Sequence, residues 1–105
     1  MLLQFSQLTT HKGAELSAIE HAVPMIVFSP DGTVLRANDL FLSTLGFQRD
    51  DVIGRHHRIF CDPNYVASPL YREHWETLNK GQPITDTIKR IAKNGEAVWL
   101  QGTYA

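Results

Sequence analysis

The chain has 105 residues, 43% hydrophobic and 20% charged, a composition typical of one globular domain rather than of a disordered segment. Ten basic residues balance eleven acidic ones without a Lys/Arg cluster, which argues against nucleic-acid binding. The single cysteine, Cys61, cannot form an intrachain disulfide and fits a reducing, cytoplasmic setting. The apolar run at residues 1–5 is too short for a signal peptide or a membrane span, so we expect no membrane segment in this chain.

The N-terminal third of the chain predicts one helix followed by a β-hairpin. Leu16 and Ile19 lie three residues apart in a short amphipathic helix predicted over residues 12–22. Residues 25–28 and 33–37 flank Pro-Asp-Gly, which supplies the fixed φ and the permissive glycine that a chain reversal needs. We therefore expect the first two strands of a sheet here.

Several short helices are predicted in the middle of the chain. Asn38 is placed to cap a helix that Gly46 ends, and a second short helix is expected over residues 49–53. Ser68 followed by proline is typical of a helix start, and Gly81 of a helix end. The order of elements is thus a helix, two strands, several short helices and two strands.

A second hairpin is predicted at the end of the chain. Residues 85–91 and 97–104 flank Asn94-Gly95, a pair typical of a two-residue turn. Such a turn places Thr87 opposite Gly102, so that one face carries Thr85, Thr87, Leu100 and Gly102 and the other Ile84, Ile88 and Trp99. Buried threonine hydroxyls need partners, so the first face indicates a cavity. A slip of one residue would exchange the two faces.

These elements and several local segments resemble a PAS domain, an α+β sensor fold in which an antiparallel sheet and short helices enclose a small-molecule pocket. The segments that carry the resemblance are Asn38-Asp39-Leu40-Phe41, Leu45-Gly46-Phe47, Val52-Ile53-Gly54, Trp75 to Gly81, Lys93-Asn94-Gly95 and Val98-Trp99-Leu100. Within the family, His57-Arg58 followed by Phe60-Cys61-Asp62-Pro63 is similar to the PAS modules of bacterial methyl-accepting chemotaxis proteins and aerotaxis-type receptors. The resemblance assigns residues 14–105 to the PAS domain and leaves residues 1–13 as an extension.

The resemblance also raises a question about the centre of the sheet. The family's last strand lies beside the first strand and the last hairpin, and here it would follow Ala105. An unfilled gap would leave two rows of backbone donors and acceptors unpaired. The resemblance therefore implies an incomplete domain from a longer receptor. Alternatively, residues 2–8, which partly alternate in polarity, fill the gap in their own or a neighbouring molecule.

The resemblance implies an internal pocket and leaves its ligand unknown. Haem is one candidate, with His57 or His74 as its axial ligand, and FAD is another, with Trp75 matching a tryptophan of the aerotaxis receptor. In the flavin photosensors the adduct-forming cysteine corresponds to His57, which argues against flavin–cysteinyl photochemistry here. The candidate cofactor-binding residues are Phe41, Leu45, His57, Phe60, His74, Trp75, Thr85, Thr87, Leu100 and Gly102, and no metal site is predicted.

Each candidate also has a purely structural interpretation. His57 and His74 would be hydrogen-bonded interior or boundary residues, Trp75 a core residue and Cys61 a packed thiol. On the far face of the second hairpin, Trp99 would lie opposite Arg90 and take part in a cation–π contact or a dimer surface.

No phosphate loop, nucleophile–base set or carboxylate pair indicates an enzyme. We expect a homodimeric sensory module that binds a small molecule and relays its state to a chemotaxis or kinase output domain. The alternative is a ligand-free PAS domain that acts only in dimerisation and protein interaction.

Overall fold

The computed structural model of the chain describes residues 1–8 and 23–105, with the backbone alone for residues 5–8. The helix predicted over residues 12–22 lies outside the described residues. The strands are β1 (Leu2–Leu8), β2 (Met25–Phe28), β3 (Val34–Ala37), β4 (Ile84–Ile91) and β5 (Ala97–Tyr104). The α-helices are α1 (Asp39–Leu45), α2 (Arg49–Val52), α3 (Pro63–Val66) and α4 (Pro69–Asn79), and a 3₁₀ helix covers His57–Phe60. No described helix has the length and apolar character needed to cross a membrane.

The described strands form one antiparallel sheet in the order β3-β2-β1-β5-β4. Strand β1 lies at its centre, with Leu3 opposite Ile26 on one side and Tyr104 on the other. The N-terminal amine of Met1 also donates to the carbonyl oxygen of Phe28 at 2.6 Å. The hypothesis that residues 2–8 fill the central gap is therefore confirmed, within the same molecule. The proposed boundary between residues 13 and 14 stays a prediction, although β1 takes part in the same sheet.

The first hairpin and the helix after it form as predicted. The Asn38 side chain accepts hydrogen bonds from the backbone N–H of Phe41 at 2.9 Å and of Met25 at 3.0 Å, so it caps α1 and ties the helix to β2. Helix α1 ends at Gly46, whose φ of 77° lies in the left-handed region that glycine tolerates.

The second hairpin has a longer turn than predicted, and its register differs by one residue. Ala92 N–H donates to the carbonyl oxygen of Glu96 at 2.9 Å, and Gly95 adopts φ 88° at the end of a three-residue loop. Thr87 consequently lies opposite Gln101, where the two-residue turn predicted Gly102. The side chains of β4 exchange faces as a result, because successive residues of a strand point to opposite sides.

The hydrophobic core lies between the inner face of the sheet and the helices. The helical side contributes Phe41, Leu42, Leu45, Val52, Phe60 and Leu78, and the sheet contributes Leu3, Ile26, Phe28, Val34, Ala37, Leu100 and Tyr104. Ile84 and Ile88 pack against this cluster from β4. Two polar residues, His57 and Arg90, are buried with the apolar ones, and they mark the site described next.

Candidate functional site

The candidate site is a buried polar network centred on His57, the first residue of the 3₁₀ helix. The backbone N–H of His57 donates to the carbonyl oxygen of Gly32 at 2.8 Å, which ties the helix to the turn of the first hairpin. The preceding His56 caps the helix, because its Nδ1 accepts from the N–H of Arg58 at 3.1 Å. The two adjacent histidines therefore differ in role. His56 caps the 3₁₀ helix, and only His57 points into the interior, where it is fully buried.

A chain of hydrogen bonds connects four side chains in the network. Arg90 donates from Nη2 to the hydroxyl oxygen of Tyr104 at 2.6 Å. The Tyr104 hydroxyl lies 2.7 Å from Nε2 of His57, and Nδ1 of His57 lies 2.9 Å from the hydroxyl of Tyr71. Because an arginine only donates, the assignment that uses every donor has Tyr104 donating to Nε2 and His57 donating from Nδ1 to Tyr71. His57 is then a neutral imidazole.

Aromatic rings enclose the His57 side chain. Phe28 and Trp75 meet it edge-on, with centroid separations of 5.0 and 5.2 Å. Tyr71 and His74 stack on it at 5.8 and 5.9 Å. These rings belong to β2 and to α4, so the packing of the helix against the sheet fixes the imidazole orientation.

Burial keeps the network electrically neutral apart from Arg90. It lowers the pKa of His57 well below 6.5, and the positive charge of Arg90 lowers it further. Burial likewise lowers the pKa of His74 to about 4 and raises the pKa of Tyr71 to about 12. Burial also raises the pKa of Tyr104. Both histidines are therefore uncharged and both tyrosines protonated at neutral pH.

Cys61 lies at the edge of the network, with its Sγ 3.6 Å from Nδ1 of His57. Burial raises the pKa of this thiol to about 11, so it is a protonated, weakly nucleophilic group. Within residues 1–8 and 23–105, no group of three His, Cys, Asp or Glu side chains could hold a metal ion.

Some buried polar atoms of the site make no hydrogen bond. They include Nε2 of His74 and Nε of Arg90. Nε1 of Trp75 is a third such atom, and the Trp75 ring packs edge-on against that of Tyr71 with 6.4 Å between the centroids. Arg90 is only 4% exposed, and the ion pairs among the described residues do not include it. A buried cation with no acidic partner among residues 1–8 and 23–105 is costly for that part of the structure, and a bound ligand is one way to compensate the charge.

A surface cleft of about 380 Å³ lies between α3 and the edge strand β4. Its wall includes Tyr65 of α3 and Ile88 and Arg90 of β4. Arg90 thus belongs both to this cleft and to the interior network, and it links the two.

The structure separates the ten predicted site residues into three groups. Phe41, Leu45, Phe60 and Leu100 are buried in the apolar core, and Gly102 is buried on β5. His57, His74 and Trp75 come together in the polar network. The predicted inward orientation of Thr85 and Thr87 is wrong: both are exposed, because the three-residue turn shifts the register of β4.

The sequence did not identify Arg90 and Tyr104 as members of the site. The predicted register placed Arg90 opposite Trp99 on the outer face, and that assignment is wrong. Arg90 lies opposite Val98, points inward and stacks over the ring of Tyr104 at 5.7 Å. The glycine of Asn94-Gly95 was the available signal, since it suits a three-residue loop as well as a two-residue one.

The order of the strands, the short helices between the two hairpins and the buried site define a sensor fold of the PAS class. A sequence profile of the family described as PAS fold matches residues 34–105, more than half of the chain, and the chain belongs to this family.

Two relatives agree with the predicted resemblance to chemotaxis-type receptors. The biofilm dispersion protein BdlA of Pseudomonas aeruginosa is 41% identical over 91 residues, which cover 87% of this chain and 22% of that protein. The aerotaxis receptor of Escherichia coli is 28% identical over 68 residues, 65% of this chain and 13% of the receptor. The chain thus spans less than a quarter of the length of either relative.

Solved structures share the fold at low sequence identity. The light-state dimer of the fungal blue-light photoreceptor Vivid superposes with a TM-score of 0.62 at 15% identity, covering 90% of this chain and 83% of that one. The dark structure of the Aureochrome1 LOV photoreceptor gives 0.57 at 17% identity, covering 92% and 83%. Both confirm the predicted α+β PAS architecture. The chain is thus a PAS sensory domain similar to those of chemotaxis receptors.

Proposed function

We propose that this PAS domain binds a small molecule or cofactor beside the His57 network and relays its state to a chemotaxis or kinase output of a longer receptor. The observation that carries the proposal is the buried guanidinium of Arg90, which has an unpartnered Nε and no ion pair among the described residues. Buried polar groups without partners are rare in folded proteins, and a bound ligand is one way to satisfy them.

The hydrogen bonds of the network suggest how the state of the site reaches the rest of the domain. A ligand that bonds to Arg90 competes with the bond from Arg90 to Tyr104, and so changes the bond from Tyr104 to His57. Tyr104 lies in β5 opposite Leu3 of the central strand, whereas His57 begins the 3₁₀ helix. A ligand with different affinities for two arrangements of these groups would shift their populations.

The two cofactors suggested by the resemblance fit the site to different degrees. A haem would be held by Nε2 of His74, which is unpartnered and belongs to a neutral imidazole, whereas both ring nitrogens of His57 are already bonded. Trp75 would offer an aromatic surface to FAD. Bound haem would supply a site for diatomic gases, and bound FAD a redox centre.

An absorption spectrum of the purified protein, with mass spectrometry of any released molecule, tests the proposal. A coloured cofactor or a stoichiometric metabolite is expected, and His74→Gln should abolish haem binding if haem is found. The matched control is His56→Gln, because His56 caps the 3₁₀ helix outside the interior. Protein that is colourless, releases nothing and binds none of a library of metabolites would contradict the sensing function.

Protein that carries no cofactor and binds no metabolite would favour the second candidate function, a ligand-free domain that forms a homodimer. Trp99 on the outer face of β5 is 51% exposed, and the threonines of β4 lie on the same side. Analytical ultracentrifugation of the native protein and of Trp99→Ala measures the contribution of this face to a dimer.

A further inference from the structure

We propose that the cleft between α3 and β4 admits a small monocarboxylate whose carboxylate group binds the guanidinium of Arg90. This inference rests on the proposed sensing function and gives its ligand a chemical class and an entrance. The cleft of about 380 Å³ is large enough for such a molecule, and Arg90 forms part of its wall.

Arg90 retains donors that a carboxylate could accept. The guanidinium carries five N–H groups, and its described bonds are one from Nη1 to the carbonyl oxygen of Lys89 at 2.7 Å and one from Nη2 to Tyr104. Nε makes none. Arginine recognises carboxylates through paired N–H donors. Nε is buried in the described structure, so the bidentate contact from Nε and a terminal nitrogen requires the guanidinium to turn toward the cleft.

The other charges of the cleft select for a single negative charge on the ligand. Lys89 already pairs with Asp62, with 3.5 Å between Nζ and Oδ2. Asp86 lines the same cleft and lies four residues before Arg90 in β4. A second carboxylate on the ligand would approach these acidic side chains and be repelled, whereas a neutral or cationic tail would not.

The remaining wall suits a short tail. Ile88 is partly buried between Asp86 and Arg90 along the inner face of β4, and Tyr65 of α3 also lines the cleft. Burial raises the pKa of Tyr65, so its hydroxyl is a neutral group. An aliphatic chain of a few carbons would contact these two side chains while its carboxylate reaches Arg90.

Titration of the native protein with three probes of similar length tests the inference. Pentanoate is the expected ligand, pentanamide lacks the charge, and glutarate carries a second carboxylate. In ¹H–¹⁵N NMR spectra, pentanoate should shift the Arg90 Nε–H resonance saturably, with millimolar affinity. Pentanamide should leave it unchanged, and glutarate should bind several-fold more weakly than pentanoate. No saturable shift with pentanoate, or an equal shift with pentanamide or chloride, would overturn the inference.

Two variants complete the test. Asp86→Asn changes an exposed side chain and should narrow the difference between glutarate and pentanoate; an unchanged ratio would contradict the charge argument. Arg90→Lys keeps the positive charge but loses the paired N–H donors of the guanidinium. Pentanoate binding to this variant should weaken at least tenfold. If Arg90→Lys does not fold, the Nε–H titration of the native protein still decides the question.

The inference and the proposed function fail separately. If the native protein releases a cofactor but does not respond to pentanoate, the monocarboxylate site is contradicted and the sensing function is supported. Pentanoate that binds without moving the resonances of Tyr104 and His57 would leave the site in place and contradict the relay through the network.

Discussion

His57 and Tyr104 meet in the interior of the domain with 2.7 Å between Nε2 and the hydroxyl oxygen, although they lie 47 positions apart in the chain. Tyr104 also accepts a hydrogen bond from Arg90. A single hydroxyl thus joins the helical half of the molecule to the sheet and to a buried positive charge.

Replacing Tyr104 by phenylalanine should therefore destabilise the domain. The change removes the Tyr104 hydroxyl, which bonds to both His57 and Arg90. Nε2 of His57 and Nη2 of Arg90 then lose this buried hydrogen-bond partner. We expect a loss of about 1–3 kcal/mol in the free energy of unfolding, measured by urea denaturation. The control is Tyr65→Phe, which removes the same hydroxyl from a half-buried ring outside the network. Equal losses in the two variants would mean that the network contributes nothing specific.

The stability of the domain should fall as the pH decreases from about 6.5 towards 4. In the folded protein burial holds the pKa of His57 well below 6.5 and lowers that of His74 to about 4. The unfolded chain binds protons at these histidines below pH 6.5 while the folded protein does not, so acid favours unfolding. Urea midpoints measured across this range should decrease, with a smaller slope for His74→Gln. A flat profile would show that the pKa values of these histidines are the same in the folded and unfolded protein, which contradicts the prediction.

Substitution of Gly32 should cost more than the same change at Gly95. Both glycines have φ 88°, which strains any residue with a Cβ atom. A Cβ at Gly95 would meet nothing within 4 Å, whereas one at Gly32 would lie 2.6 Å from Nε2 of His56. Gly95→Ala should cost about 1–2 kcal/mol and Gly32→Ala more, by urea denaturation. Adding His56→Ala to Gly32→Ala should restore part of the stability lost in Gly32→Ala. If it restores none, the added Cβ does not clash with His56 and the explanation is wrong.

Truncation of Leu3 tests the placement of the N-terminal strand. Leu3 is 2% exposed and lies between Ile26 and Tyr104 at the centre of the sheet. Leu3→Ala should destabilise the domain by about 2–5 kcal/mol, the range for a fully buried leucine. The neighbouring Leu2 is only partly buried, so Leu2→Ala should cost clearly less. Similar effects at both positions would mean that residues 2–8 do not pair within the sheet as described.

The local elements were largely predictable because short-range rules govern them. Asn38 and Gly46 limit α1 through hydrogen bonds and backbone angles set within a few residues. The register of the second hairpin was not predictable from its turn residues, since Asn-Gly fits two loop lengths that differ by one residue. That one residue decided whether Thr87 or Arg90 faced the interior.

The sequence by itself determined the family, strands β2 to β5 and the helices α1, α2 and α4. Tertiary structure alone decided that residues 2–8 occupy the centre of the sheet and that Arg90, Tyr104 and His57 form one network. The reason is physical: strand pairing and burial join residues distant in the chain, and their cost or benefit depends on neighbours that no local pattern contains.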